Sequence, residues 1–202
     1  MTESLPEERN VILSFDDGPE PVETLEAIVA ILEKEGIKGC FFLLGQGVER
    51  QPAAVRMLVE RGHQVGSHNW EHVPMPTLTE EQMYDQLRRT QEAIHAACGV
   101  TPRLLRVPFG AGWYNQKDPA LIRSAERLGL ELIGWTLDTM DWQRPRELGI
   151  RFERVEERMK LFVSVGRTSC VELLLHVYPT TVSGLPRLIG FLRGLGFSFT
   201  TY

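Results

Sequence analysis

The stretch GSHNWEHVPMP, residues 66–76, places His68 and His72 four positions apart. Two imidazoles at that spacing suit ligation of one metal ion from a single turn of chain. With Glu71 before the second histidine, the stretch also spells H-x-x-E-H, the signature of one class of zinc peptidase. Gly66 and Ser67 precede it and Pro74 and Pro76 follow, so a long helix is hard to build there. The histidines therefore need partners from elsewhere. Two adjacent carboxylates, Asp16 and Asp17, offer one group to bind a metal and a neighbour free to act as a base. His176 offers a separate proton donor. Two imidazoles and a carboxylate suit Zn²⁺ or a similar divalent ion and leave a position open for water. Such water, a carboxylate base and a histidine acid are what amide or ester hydrolysis needs.

The elements that must position these residues alternate between strand and helix. Strand patterns fall at 11–15 (VILSF), 39–45 (GCFFLLG), 63–67 (HQVGS), 103–107 (RLLRV), 130–137 (LELIGWTL), 170–177 (CVELLLHV) and 197–202 (FSFTTY). Helical spacing of apolar residues covers 22–35, 53–62, a run capped by Thr79 and Gln82 and ended by Gly99, and about 118–128, 146–163 and 184–194. The strand runs are apolar rather than alternating, as strands covered on both faces should be. The two solutions are a β/α barrel and a doubly wound sheet. No G-x-G-x-x-G follows the first strand, which favours a small, irregular barrel. In either fold the ends of strands carry the site. Asp16 and Asp17 follow the first strand and His68 and His72 the third. Arg106, Pro108 and Phe109 end the fourth, Asp138, Asp141 and Trp142 the fifth, and His176 the sixth.

Each residue also has a plainer reading. DDGP is what an ordinary turn looks like. Trp70, Trp113 and Trp142 fit core filling as well as stacking on sugar faces. Arg106 and Asp141 fit a simple ion pair, and His63 and His95, away from strand ends, fit structural or solvated roles. Cys40, Cys98 and Cys170, odd in number and without a C-x-x-C pair, are expected to be buried free thiols.

Composition narrows the class. A net charge of −5 over 202 residues argues against a nucleic-acid binder. No run approaches the roughly 18 apolar residues of a membrane span. The acidic start, MTESLPEERN, has no basic n-region or apolar h-region, so the chain as written is expected in the cytoplasm. A chain trimmed of its leader would instead belong outside the cell or in the periplasm. Nothing in the sequence speaks to oligomeric state.

Taken in order, SFDDGP (14–19), HNWEH (68–72), RVPFG (106–110), DTMDW (138–142) and LLH (174–176) resemble the five motifs of the polysaccharide deacetylases, the NodB-homology or carbohydrate esterase family 4 proteins. The resemblance runs through the chain and implies a single α/β domain, a distorted (β/α)7-type barrel over 11–202 behind an N-terminal extension of 1–10. It implies that Asp17, His68 and His72 hold one divalent metal ion, Zn²⁺ first, with Co²⁺ or Ni²⁺ as alternatives. Asp16 is then the general base, steadied by Arg106. The backbone N–H of Phe109 faces the oxyanion, and His176, its pKa raised by Asp141, is the general acid. Trp142 and Leu174 wall the acetyl methyl, and Glu71 is incidental. The implied substrate is an N-acetylated carbohydrate and the implied reaction its deacetylation. Alternatives are a deformylase or other amidase on the same site, or a non-catalytic carbohydrate-binding relative.

Four departures from the family pattern stand out. Asn69 replaces the usual Ser or Thr but can still hydrogen-bond. Phe109 replaces the usual Tyr. Val177 stands where Asp is common, and Glu172 interrupts an apolar strand.

Overall fold

The computed structural model describes residues 9–143, 149–165 and 170–202. Among the described residues there are eight strands: β1 (Arg9–Gly18), β2 (Cys40–Leu43), β3 (Gln64–Ser67), β4 (Leu104–Leu105), β5 (Glu131–Leu132), β6 (Leu137–Asp138), β7 (Val171–His176) and β8 (Phe197–Thr200). Seven α-helices of the described residues lie between them: α1 (Val22–Lys34), α2 (Gly45–Arg50), α3 (Pro52–Glu60), α4 (Glu80–Cys98), α5 (Pro119–Arg127), α6 (Phe152–Ser164) and α7 (Pro179–Gly194). All pairings are parallel, in the order β5-β4-β3-β2-β1-β7-β6. β8 adds to the first half of the β1 edge whose second half pairs with β2.

The connection between β5 and β6 forces this sheet to curl. The two strands are the opposite ends of the order, yet only Ile133–Thr136 separate them in the chain. Laid flat, the six strand spacings would span about 29 Å, whereas that link reaches roughly 18 Å at full extension. The result is the expected α/β barrel-like fold, with eight strands where seven runs were expected. The run at 130–137, expected as one strand, is two. Ile133 N–H still bonds across to β4, while Thr136 N–H bonds to Glu172 of β7, so the chain changes neighbours midway.

The central strands are buried along most of their length, β2 entirely. The main core packs Val11, Leu13 and Phe15 of β1 and Leu173 and Leu175 of β7 against apolar faces of α1, α6 and α7. A second cluster joins Met83 and Leu87 of α4 to Leu105 and Leu121. The α4 boundaries follow the capping signals: Thr79 and Gln82 form a reciprocal capping box, and Gly99 ends the helix at φ 77°. α7 starts five residues before its expected boundary, with Pro179 in its first turn, where the missing N–H costs nothing. α6 begins at Phe152; the expected start near 146 lies outside the described residues.

The cysteine expectation needs correction. Cys40 is buried, but Cys98 is half-buried and Cys170 exposed. The chain enters the sheet only at Val171, so Cys170 stays on the rim. Among the described residues no helix is long and apolar enough to cross a membrane.

Candidate active site

Asp16 and Asp17 are not beyond the first strand but inside its last turn of ladder. Neighbouring residues of a regular strand face opposite ways. Here the β1–β2 register shifts between Phe15 and Gly18, and Asp17 takes φ 69°. That irregularity turns both carboxylates into one cavity.

The second ligand segment is a loop. Asn69 and His72 both have positive φ, which excludes the helix an H-x-x-E-H peptidase needs. Asn69 braces the turn: its Oδ1 accepts from Trp70 N–H at 2.7 Å and its Nδ2 donates to Val73 O. The first amides of α2 donate to the carbonyls of Asn69 and Trp70. Trp70 is buried over Gly45, where an added Cβ would lie 2.2 Å from its ring. Glu71 points elsewhere, to Gln86 and Gln46.

These two segments bring Asp17, His68 and His72 together, one ligand atom of each within 4.8 Å of the others. Asp17 Oδ1 lies 3.4 Å from His68 Nε2 and 3.2 Å from His72 Nε2. That oxygen is buried and has no hydrogen-bond partner. His68 Nδ1 lies 2.7 Å from the carbonyl of Arg106. It must donate there, which in the neutral ring leaves the Nε2 lone pair facing Asp17. An orphaned carboxylate oxygen beside an oriented imidazole lone pair fits a divalent cation. The electrostatics agree. Burial pushes the Asp17 carboxyl up, but His68 and His72 outweigh it and hold the group far below the usual carboxylate range. Burial pushes His68 down, and Asp16 and Asp17 more than reverse it. The pocket is built for positive charge.

Arg106 is wholly buried and reaches Asp16 Oδ1 at 2.9 Å and Ser14 Oγ at 2.8 Å through Nη1. Its Nη2 donates to Gly134 O, Tyr202 Oη and the Glu172 carboxylate. It lies 4.2 Å over the Phe42 ring. The simple Arg106–Asp141 pair therefore does not form. Asp141, also buried, belongs to His176: its Oδ1 is 2.7 Å from Nδ1, and its Oδ2 accepts from His176 N–H and Thr181 Oγ1. Burial pushes His176 down, but Asp141 reverses this and lifts it to about 9.

One cavity of about 610 Å³ is lined by Asp16, Asp17, His68, His72 and His176. Leu174 and Trp142 form part of its apolar wall, and Trp142 is 42% exposed. Phe109 sits at the mouth with φ 59°. The turn's hydrogen bonds run from Gly110 to Val107 and from Ala111 to Pro108. They skip the Phe109 N–H, which has no backbone partner among the described residues. Of the other tryptophans, Trp70 is core and Trp113 stacks under Lys117. His63 is buried, accepting from Gly39 N–H, and His95 meets Thr101.

Sequence reasoning missed several members. Trp135 in the cavity wall, Tyr178 beside Asp17 and Thr181 under Asp141 carry no local signal. Glu172 did carry one, as a charge in an apolar strand, but its partner Arg106 is 66 positions away.

Residues 4–133 match the sequence model of the family described as polysaccharide deacetylase. The chain is 32% identical over 194 residues to a peptidoglycan-N-acetylglucosamine deacetylase of Listeria monocytogenes, covering 96% of this chain and 38% of that protein. It thus spans well under half the length of that curated relative. A family 4 carbohydrate esterase from Streptomyces lividans, solved with acetate, superposes with TM-score 0.77 at 29% identity, covering 95% of this chain and 92% of that one. A CE4 family pseudoenzyme from Bacillus anthracis superposes at 0.78 with 27% identity, covering 96% and 64%. With more than half its length matched by the family's sequence model, the chain belongs to the polysaccharide deacetylase family.

Proposed function

We propose that this chain is a metal-dependent hydrolase that removes acetyl groups, N-linked or O-linked, from an N-acetylated amino sugar of an oligo- or polysaccharide. One observation carries the reading. The unpartnered Asp17 oxygen between two imidazoles opens on the same cavity as an arginine-held carboxylate and an aspartate-held histidine.

Asp17, His68 and His72 would hold the ion, Zn²⁺ first, with Co²⁺ or Ni²⁺ as alternatives. When bound, it supplies Lewis acidity toward an acyl carbonyl and acidifies water. The protein's own groups do the rest. Arg106 occupies one oxygen of Asp16 and leaves the other to take a proton from the attacking water. The Phe109 N–H is a preorganised donor for the developing oxyanion; losing such a donor costs roughly 2.7–4 kcal/mol in other hydrolases. His176, with Nδ1–H committed to Asp141, presents Nε2–H to the leaving amine. Trp142 and Leu174 exclude water around the methyl group.

A non-catalytic role has a precedent in the neighbouring pseudoenzyme fold. Against it, the base, acid and all three ligand positions here are filled by groups able to serve.

The test is acetate release from N-acetylated chito-oligosaccharides and peptidoglycan fragments by Zn²⁺-loaded protein, with Asp16→Asn beside it. Release abolished by the substitution supports the reading. No acetate from any N-acetylated sugar, with metal bound, overturns it in favour of the binding role; formate from N-formyl sugars would redirect it to deformylation.

A further inference from the structure

Tyr178 follows His176 by two residues and caps the start of α7. Its Oη is 2.8 Å from Asp17 Oδ2, and its ring lies nearly parallel to His176 at 5.4 Å, with an 8° interplanar angle. An ionised carboxylate only accepts, so the phenol donates. Asp17 thereby has two unlike oxygens. Oδ2 is tied to Tyr178, and Oδ1 is the buried, unpartnered atom facing both imidazoles. Without that tie, rotation of the carboxylate would exchange them. The same side chain stacks against His176, so one residue touches two groups at the paired ends of β1 and β7.

We propose that Tyr178 is a positioning residue of the metal centre, holding the Asp17 carboxylate so that Oδ1 alone faces the ion. This rests on the metal-site part of the proposed function and not on the acyl group removed. Outer hydrogen bonds of this type are worth 10–100-fold in metal affinity at other sites.

The test is calorimetric Zn²⁺ titration of chelator-treated wild type, Tyr178→Phe and Ser183→Ala. The phenylalanine keeps the ring and loses only the hydroxyl. Ser183, bonded to Thr180 in the same turn of α7, is the control for general loosening. Tyr178→Phe should weaken Zn²⁺ binding about 10–100-fold and shift the visible bands of the Co²⁺-loaded protein, with the metal-free melting temperature and Ser183→Ala unchanged. Wild-type affinity in Tyr178→Phe overturns the proposal, as does an equal loss in Ser183→Ala. Should Tyr178→Phe not fold, Tyr178→Leu also removes the hydroxyl without adding a donor and is read in the same way. Zn²⁺ bound without acetate release would sink the deacetylase reading and leave this test standing. A wild type that binds no Zn²⁺ overturns both.

Discussion

His176 Nδ1 lies 2.7 Å from an oxygen of Asp141, a carboxylate wholly buried beneath it. An acceptor-only carboxylate fixes the tautomer, with the proton on Nδ1. In the metal-free protein the pair keeps His176 protonated up to about pH 9. Because the folded pKa lies above the unfolded value, the associated stabilisation is complete below about 6.5 and is lost as pH rises through about 9. A histidine acid predicts an alkaline limb of turnover in that region. Asp141→Asn removes the largest upward influence, leaves burial opposed only by Asp16 and Asp17, and should move the imidazole titration, followed by NMR, downward from about 9. An unmoved titration would separate Asp141 from the acid's pKa.

Asp16 and Asp17 are neighbours with different partners, so their amides should behave differently. Asp16→Asn should keep Zn²⁺ and lose about 10²–10⁴-fold in turnover, the usual contribution of a general base. Asp17→Asn should lose both metal and turnover. Equal metal loss in the two variants, by calorimetry, would reverse the division of labour.

Glu172 shares Arg106 with Asp16. Burial lifts its carboxyl to about 7, against the pull of Arg106. The folded protein therefore binds a proton that the unfolded chain has released between about pH 4.5 and 7, and stability falls as pH rises through that window. Glu172→Gln removes the titrating group. Urea unfolding across this range should show a sloping difference between wild type and variant; a constant difference would contradict the assignment. Arg106→Met should be far more damaging, about 3–5 kcal/mol, since it strands the buried Asp16 carboxylate and the half-buried Glu172.

Gly45 admits Trp70 at a distance that no side chain allows. Gly45→Ala should destabilise the fold by about 1–3 kcal/mol through overpacking. It should also weaken Zn²⁺ binding, because Trp70 anchors the loop between the two histidines. Unchanged metal affinity at lowered melting temperature would show that the loop is held by its backbone bonds alone.

Much of this protein was legible without coordinates. The alternation of apolar strands with amphipathic helices determined the fold class, since strands covered on both faces and helices with one apolar stripe leave few ways to bury both. The capping box of α4 was a local matter of four residues. The types and order of Asp16, Asp17, Arg106, His68, His72, Asp141 and His176 placed them all at strand ends.

What the tertiary structure decided depends on geometry between distant segments. A ladder irregularity and a positive φ at Asp17, rather than the DDGP sequence itself, bring both carboxylates into one cavity. Arg106 chose Asp16 and Glu172 over Asp141 because the strand order stacks β1 and β7 beside the turn at Gly134. Trp70 became core and Trp142 cavity wall, although both stand in loops beside polar residues. Tyr178 met Asp17 across 161 positions. Local sequence records the chemistry a residue can offer and the period of the element that carries it. Which group it finally meets depends on how the sheet curls and where its register breaks, and those are set by the packing of the whole chain.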